Sequence, residues 1–393
     1  MEFEFDYDPG TIRYGPDCVS TLGEAMDDRN LRRALVVTGR TVGATDAVMD
    51  PVRAGLGDRL VSTFAETTPD KTLSTALEGV ERLHETDADV VVAVGGGSSL
   101  DIAKIMAGVV DLDRSDEEIL ETFEETGSVP MADGELRPVF AVPTTLAGAD
   151  LSIIAGITSR RDGLVRGGVY EERLMPEALW YDPELFRTTP HDVLCASAMN
   201  GFDKAIETVY GAPATPITDG TAIRALSHLT DGLPKLGAGE RDDETMHDVV
   251  VGTILAQYGC SRVDGLTLSL IHAFGHGIAR GYDIQQGGAH AIIAPHALEY
   301  LFGEIDGKRA LLAEGFGIET TDPDGTAEGI VDAVAGIGDA LGLPSRLREI
   351  DDMERSDLPS VAADVHGDGL MAYCPPGLDP TVEELEAVLS RAW

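Results

Sequence analysis

Lysine is almost missing from this 393-residue chain: Lys71, Lys104, Lys204, Lys235 and Lys308 are the whole set. Basic residues number 29 against 69 acidic ones, a formal net charge of −40. With so little positive charge, no basic patch is available to follow a phosphate backbone, and nucleic acid is not an expected partner. Cysteine is scarce too. Cys18, Cys195, Cys260 and Cys374 lie far apart and form no CxxC pair, which points to reduced thiols and away from a disulfide framework or a zinc knuckle. No stretch approaches the roughly 20 apolar residues of a membrane span. The opening residues carry Glu2, Glu4, Asp6 and Asp8 and have neither the basic region nor the apolar run of a signal peptide. A cytoplasmic protein without a membrane partner is the expectation.

What is present is an ordinary core inside an unusual surface. The apolar fraction of 43% suits a globular protein, and the length allows two domains with substantial cores. The carboxylates form no acidic tail; they are dispersed along the chain. Dispersed charge of this size repels itself and destabilises the compact state in dilute buffer. At about 1 M salt the Debye length falls to about 3 Å, which removes the penalty. The composition therefore predicts a halophilic protein of a salt-accumulating cytoplasm.

The first half alternates strand and helix patterns. Residues 2–7 and 11–14 read as an opening hairpin around the Asp8-Pro9-Gly10 turn. Residues 33–38, 60–64, 88–94 and 137–142 read as buried strands, the third nearly continuous in apolar residues as a central parallel strand should be. Helices fit at 42–56, 73–85 and 98–110. The acidic stretch 111–135 reads as a surface insertion. From Pro190 onward long helical patterns dominate, at 193–210, 216–233, 246–259 and 266–280. Thr215 and Pro216 supply an N-cap and a first helical residue for the second of these. The organisation predicted is an α/β dinucleotide-binding domain, residues 1–187, followed by an all-helical substrate domain, residues 188–393, with the break near Asp182-Pro183 and Thr189-Pro190.

Two local features carry chemistry in the first half. Gly95-Gly96-Gly97-Ser98 follows the clearest strand and opens a helix. That arrangement lets backbone approach a pyrophosphate and aims free N–H groups and a positive dipole end at it. Asp101, three residues on, reads as a helix cap. At the end of the 33–38 strand stand Gly39 and Arg40, where an acidic residue would select a free ribose 2′-OH; a glycine and a guanidinium there favour NADP over NAD.

GGGSSLDIAK (95–104), Pro143-Thr144-Thr145, the Asn200 helix, His272 and His276 one turn apart, and the closing Ala294-Pro295-His296 together resemble the iron-containing (group III) alcohol dehydrogenase family. The likeness runs from the opening residues to about Tyr300. Residues 143–158 (PTTLAGADLSIIAGIT) and 289–300 (AHAIIAPHALEY), with Asn200, resemble the maleylacetate reductase branch in particular. The resemblance implies a Rossmann-like nucleotide-binding domain followed by an all-α domain, as in dehydroquinate synthase. It further implies an active site in the cleft between them, a homo-oligomer such as a dimer, and cofactor contacts from Thr144, Thr145 and Ser152. It also implies a divalent metal held by one Asp and three His. Here those positions carry Asn200, Lys204, His272 and Gln286, while His276 matches a non-ligand histidine near the substrate.

A charge count makes the departure interpretable. One carboxylate, three imidazoles and a divalent cation sum to about +1; an amide, an ammonium, an imidazole and a second amide sum to about +1 without a metal. An ammonium about 4 Å from a divalent ion is repelled by roughly 8 kcal/mol at an effective dielectric of about 20. The expectation is a metal-independent NAD(P)-dependent dehydrogenase or reductase of a small alcohol/carbonyl pair. Lys204 serves as electrophile, His276 as proton relay, and Asn200 and His272 as their partners. Other readings stay open: Lys204 pairing with Asp203 or Glu207, a rearranged metal site of Asp203, His272 and His276, a synthase-type lyase, and a degenerate nucleotide-binding protein. Arg160, Arg161 and Arg166 are candidates for a substrate carboxylate or the cofactor phosphate. His296, after Pro295 in an apolar segment, reads as structural.

Overall fold

The computed structural model describes residues 2–161, 163–319 and 322–393. The chain divides into two units. The first comprises Tyr7–Thr145 and Ala149–Thr189. Its strands are β1 (Thr11–Tyr14), β2 (Ala34–Gly39), β3 (Leu60–Thr67), β4 (Val90–Gly95), β5 (Val139–Pro143), β6 (Ile154–Ser159), β7 (Val165–Tyr170) and β8 (Ala178–Tyr181). Six form one parallel sheet in the order β1-β8-β5-β4-β2-β3. β4 and β5 are buried along their whole length, which is why their sequences run apolar without alternation. The Gly97–Val109 helix follows β4 and is buried on nearly all sides.

Sheet order places the chemistry. β2 leads outward to β3, whereas β4 leads the other way to β5, so the connections diverge between β2 and β4. Ligands of open parallel sheets bind at the carboxyl ends of the strands where the order reverses. Register pairs Thr38 with Val94 and Gly95 with Pro143, so Gly39, Gly95 and Thr144 share that edge.

Several expectations are corrected here. Residues 2–7 form no strand, and there is no opening hairpin. The Asp8-Pro9-Gly10 turn exists, with Asp8 Oδ1 accepting from Gly10 N–H, but β1 pairs in parallel with the distant β8. Phe5 instead stacks beneath the Arg262 guanidinium at 5.1 Å, in the second unit. The expected helix at 42–56 is two helices, Arg40–Gly43 and Asp46–Leu56. The acidic stretch after β4 contains a capped helix, Asp116–Thr126, anchored by buried Ile119 and Phe123. The β6–β7 hairpin was not read from the sequence. β6 alternates buried and half-buried residues, but β7 is Gly-rich and mostly exposed, so its pattern is weak.

The second unit comprises the stretch up to Asp6, Leu146–Gly148 and Pro190–Trp393. It is mostly helical: His191–Tyr210, Pro216–Gly237, Asp243–Gln257, Leu270–Ala279, Gln286–Glu304, Arg309–Phe316, Pro323–Ala340, Leu358–His366 and Val382–Ala392. It is not wholly so, because Ser261–Arg262 and Gly265–Leu266 form a short antiparallel ladder where a helix start was expected. Thr215 caps its helix in a reciprocal capping box with Thr218, and Pro216 follows at the first position. Among the described residues no helix is long and apolar enough to cross a membrane.

Candidate functional site

In the first unit the Gly-rich turn is built as the sequence requires. Gly95 has φ 134°, a backbone region closed to side-chain-bearing residues, and its carbonyl accepts from Thr144 N–H at 3.0 Å. The helix begins at Gly97, and its first N–H groups have no intrahelical acceptor. Thr145 lies beside Gly96, and a Cβ on Gly96 would stand 3.2 Å from the Thr145 side chain. Ser98 is half-buried at the helix start. Gly95, Gly96, Gly97, Ser98, Thr144 and Thr145 therefore gather at one strand edge.

One other residue, Asp101, behaves differently from expectation. Asp101 is not a cap: its carboxylate accepts from Lys71 Nζ at 2.7 Å, because it lies a full turn inside the helix. Ser152 is buried and its Oγ accepts from Ile154 N–H. Its loop is held by Lys104, a fully buried lysine whose Nζ donates to the carbonyls of Ala149, Ser152 and Ile154. The lysine of GGGSSLDIAK thus fixes a loop, a role that the sequence reading did not assign. Arg40 is exposed and donates to Glu66 Oε2 from Nε and Nη2 at 2.9 and 2.7 Å. Its charge is already answered by a carboxylate at the end of β3. Arg160 pairs with Asp70, and Arg161 with Glu117 and Glu124.

In the second unit the His191–Tyr210 helix carries Asn200, Asp203, Lys204 and Glu207. The start of the Gln286–Glu304 helix approaches it so closely that a Cβ on Gly287 would lie 1.7 Å from the Ala196 carbonyl oxygen. Glycine at 287 is what permits this approach, since a Cβ there would also stand 3.3 Å from Asn200 N. Leu146–Gly148 lies against the same helix: Leu146 N–H donates to Ser197 Oγ at 3.0 Å, and Gly148 takes φ 72° beside the Lys204 side chain and Gln257.

Lys204 is 8% exposed and makes no hydrogen bond or ion pair with any described residue. The expected alternative, pairing with Asp203 or Glu207, does not occur, because both carboxylates face elsewhere. Glu207 is fully buried. Its Oε1 accepts from Ile271 N–H and Tyr210 Oη, and its Oε2 lies 2.5 Å from His272 Nδ1. His272 Nε2 lies 3.0 Å from Asn200 Oδ1. Burial pushes the Glu207 carboxyl up. Burial, with help from His290 and Lys204, pushes His272 well below its ordinary value. Burial thus disfavours the charged form of both members of the pair.

Behind this pair Asp203 and His290 are both fully buried, with Nδ1 and Oδ2 3.1 Å apart. Neither side chain has a well-formed hydrogen bond among the described residues. Burial, then Glu207, drives Asp203 well up; burial drives His290 down to about 3. The His290 ring packs edge-on to His272 at 4.5 Å. His276 faces another way, with Nδ1 3.1 Å from Asp368 Oδ2. The proposed regrouping of Asp203, His272 and His276 is therefore not formed. Among the described residues no three His, Cys, Asp or Glu side chains are placed to hold a metal ion. The sequence reading missed Glu207, Asp203, His290 and Asp368 as a connected polar centre. Only the i, i+4 spacing of Asp203 and Glu207 hinted at it.

Comparison with known proteins places these units. The family profile described as iron-containing alcohol dehydrogenase matches residues 9–183, and that of the C-terminal region of the Fe-containing alcohol dehydrogenase family matches residues 194–393. The chain is 27% identical to a maleylacetate reductase of Pseudomonas aeruginosa over 76% of each chain, and 27% identical to an NAD-dependent methanol dehydrogenase of Bacillus methanolicus over 86% of each. The solved structure of a 1,3-propanediol oxidoreductase superposes with a TM-score of 0.89 at 22% identity, covering 100% of both chains.

Proposed function

The chain belongs to the iron-containing alcohol dehydrogenase family, and from that premise we propose a hydride-transferring enzyme in which the Lys204 ammonium, and no metal ion, polarises the substrate oxygen. The relatives are dehydrogenases and reductases, so the chain is an oxidoreductase of the CH–OH/carbonyl class. The single observation that carries the finer reading is Lys204 itself: a buried ammonium with no partner among the described residues, one helical turn from Asn200.

The residues at the family's metal positions do not fit a divalent cation. Asn200 and Gln286 are neutral amides, and Lys204 is a cation without a lone pair to give. His272 is the one imidazole, and its Nε2 already lies 3.0 Å from Asn200 Oδ1. No step is therefore routed through a metal. In the reducing direction a bound nicotinamide cofactor, held at Gly95, Gly96, Gly97 and Ser98, would supply the hydride for the carbonyl carbon. The Lys204 ammonium donates to the oxygen as it becomes an alkoxide, and a proton follows to give the alcohol. A donor preorganised at a developing oxyanion in a water-poor site is worth about 3 kcal/mol or more.

The cofactor is NAD or NADP, cradled at Gly95, Gly96, Gly97 and Ser98. Gly39 leaves room for a 2′-phosphate, since a Cβ there would meet only Thr67 at 3.5 Å. Arg40 serves such a phosphate only by leaving Glu66. The dispersed −40 charge supports a salt-rich cytoplasm as the working medium. The test of the electrophile is elemental analysis of purified enzyme, together with turnover before and after chelation. Full activity at substoichiometric metal is expected. A stoichiometric divalent metal whose removal abolishes turnover would overturn the reading.

A further inference from the structure

Asp368 lies 92 residues from His276 in sequence yet is its hydrogen-bond partner. It sits at the start of the 3-10 turn Gly369–Tyr373, with 7% exposure. Each of its oxygens is committed. Oδ1 accepts from Leu370 N–H at 3.0 Å; Oδ2 accepts from His276 Nδ1 at 3.1 Å and from Arg280 Nη2 at 2.5 Å. His276, by contrast, is open on one side, its side chain 37% exposed. A carboxylate can only accept, so the imidazole nitrogen facing it must carry the proton. Nε2, the other nitrogen, is then left with its lone pair.

We propose that Asp368 is a positioning residue that locks His276 in the Nδ1–H tautomer and so presents a basic Nε2 to the substrate hydroxyl. This rests on the reading of the Lys204 centre as the substrate site. In the oxidising direction the alcohol O–H bond breaks and its proton goes to Nε2. The C–H bond breaks and its electron pair moves as hydride to the oxidised nicotinamide, leaving the carbonyl product. The imidazolium so formed is answered by the Asp368 carboxylate. Arg280, on the same oxygen, keeps that carboxylate ionised and tempers its hold on the imidazolium. Burial works against ionisation, but the hydrogen bonds from His276 and Leu370 and the Arg280 charge prevail, and Asp368 is held below the usual carboxylate range.

Other groups around His276 act in the opposite sense or not at all. His272 on its own helix and His290 on the Gln286–Glu304 helix are both held neutral by burial. Lys204 on the His191–Tyr210 helix acts against positive charge on His272 and His290. The Leu358–His366 helix packs against the His276 helix through Val361 and Val365 at Gly277. Asp368 is thus the carboxylate that can stabilise a protonated His276.

Asp368→Asn separates this role from a merely structural one. Asparagine caps a turn as well as aspartate does, so the Leu370 N–H keeps an acceptor and the fold should hold. The amide, however, offers either an oxygen or an NH2 to the ring and no longer fixes the tautomer. Nitrogen-detected NMR of the histidine rings should show His276 as the Nδ1–H form in the parent and as a mixture in the variant, whether or not a substrate is known. With any alcohol that the parent oxidises, kcat should fall about 100-fold, the lower part of the range for a positioned general base, with the KM for cofactor unchanged. The pH profile of oxidation should shift in Asp368→Asn and, in the opposite direction, in Arg280→Gln, which keeps the carboxylate. In a His276→Gln background, Asp368→Asn should cost nothing further. An Nε2–H tautomer in the parent, or an Asp368→Asn enzyme with parental kcat and pH profile, would overturn the proposal. So would equal losses with and without His276. Loss of metal independence would instead overturn the Lys204 reading and leave the tautomer result standing.

Discussion

The two units hold their polar residues in opposite ways. In the nucleotide-binding unit the turn at Gly95-Gly96-Gly97 is made of backbone: a positive φ, unpaired amides at a helix start and small side chains that keep clear of them. Of the charges nearby, Arg40 and Glu66 pair at an exposed site, Lys71 pairs with the buried Asp101, and the buried Lys104 is held by backbone carbonyls. In the helical unit the site is made of side chains, and they are buried: Asp203, Glu207, His272 and His290 have almost no solvent contact, with Lys204 nearly as enclosed. A backbone site reads plainly in sequence. A buried side-chain site depends on which protons sit where, and one substitution re-sorts them all. On the function proposed above, that difference is how a chain would keep a family's cofactor turn while changing the residues at its electrophile.

The largest expected effect would blur the comparison, because it concerns the surface of both units. With net charge −40, moving the protein from about 2 M KCl to dilute buffer should unfold it or lower its melting temperature by tens of degrees. Equal melting temperatures in the two media, read by differential scanning fluorimetry, would show that the carboxylates are tolerated without screening.

The next effect sharpens the comparison, because it should fall on one unit only. Lys204→Met should cost about 3 kcal/mol or more in kcat/KM for the carbonyl substrate, roughly 150-fold. Cofactor affinity should barely move, because the turn that holds it is in the other unit. Near-normal turnover in Lys204→Met would show that the ammonium is not the electrophile. The converse construction is Asn200→Asp, Lys204→His and Gln286→His together. It should create a divalent-metal site detectable by calorimetry with Zn2+, whether or not activity returns.

How much of this was legible follows the same division. The parallel sheet, the Gly-rich turn and the capped Pro216–Gly237 helix were readable because each rests on local pattern: a continuous apolar run, a glycine series, a Thr-Pro start. The β1–β8 pairing was not, because it joins segments 167 residues apart, as Thr11 does with Ala178, and the local turn suggested a nearer partner. Lys204 was visible as a departure from a family position. Its freedom from Asp203 and Glu207 was not, because that depends on His290 and on Ile271 N–H occupying those carboxylates from other helices. Asp368 left no signal near His276 at all.

The buried histidine gives a pH test of the side-chain unit. His290 is held down to about 3 against an ordinary value of 6.5. A histidine whose folded pKa is depressed contributes stability above its unfolded pKa and loses it as pH falls from about 6.5 toward 3. Between pH 7 and pH 5 this one residue should remove about 2 kcal/mol of stability. Asp203 and Glu207, both pushed up by burial, act in the opposite sense over the same range, so the parent's total slope is not diagnostic. The difference is. His290→Gln should lose less stability than the parent on acidification from pH 7 to pH 5, by urea unfolding at each pH. Parallel curves for the two proteins would mean that His290 is not held neutral.

The smallest effect tests the nucleotide-binding unit, where exposed pairs should make changes mild. Gly39 ends β2 in an extended conformation, φ −77°, and a side chain there meets only Thr67 at ordinary contact distance, so Gly39→Asp should be accommodated. The new carboxylate would accept from a ribose 2′-OH and repel a 2′-phosphate, shifting the ratio of kcat/KM values toward NAD. The shift should be about 1 kcal/mol, the low end for a charged hydrogen bond, for two reasons. The site is open to solvent, and Arg40, the cation that would have served the phosphate, is already paired with Glu66. Glu66→Gln should move the ratio the other way by freeing Arg40, and it should do so less in concentrated salt, where an exposed pair is screened in any case. If Gly39→Asp leaves the ratio unchanged, the adenosine ribose does not lie at the end of β2. If Glu66→Gln alone is silent, Arg40 takes no part in choosing between the two cofactors.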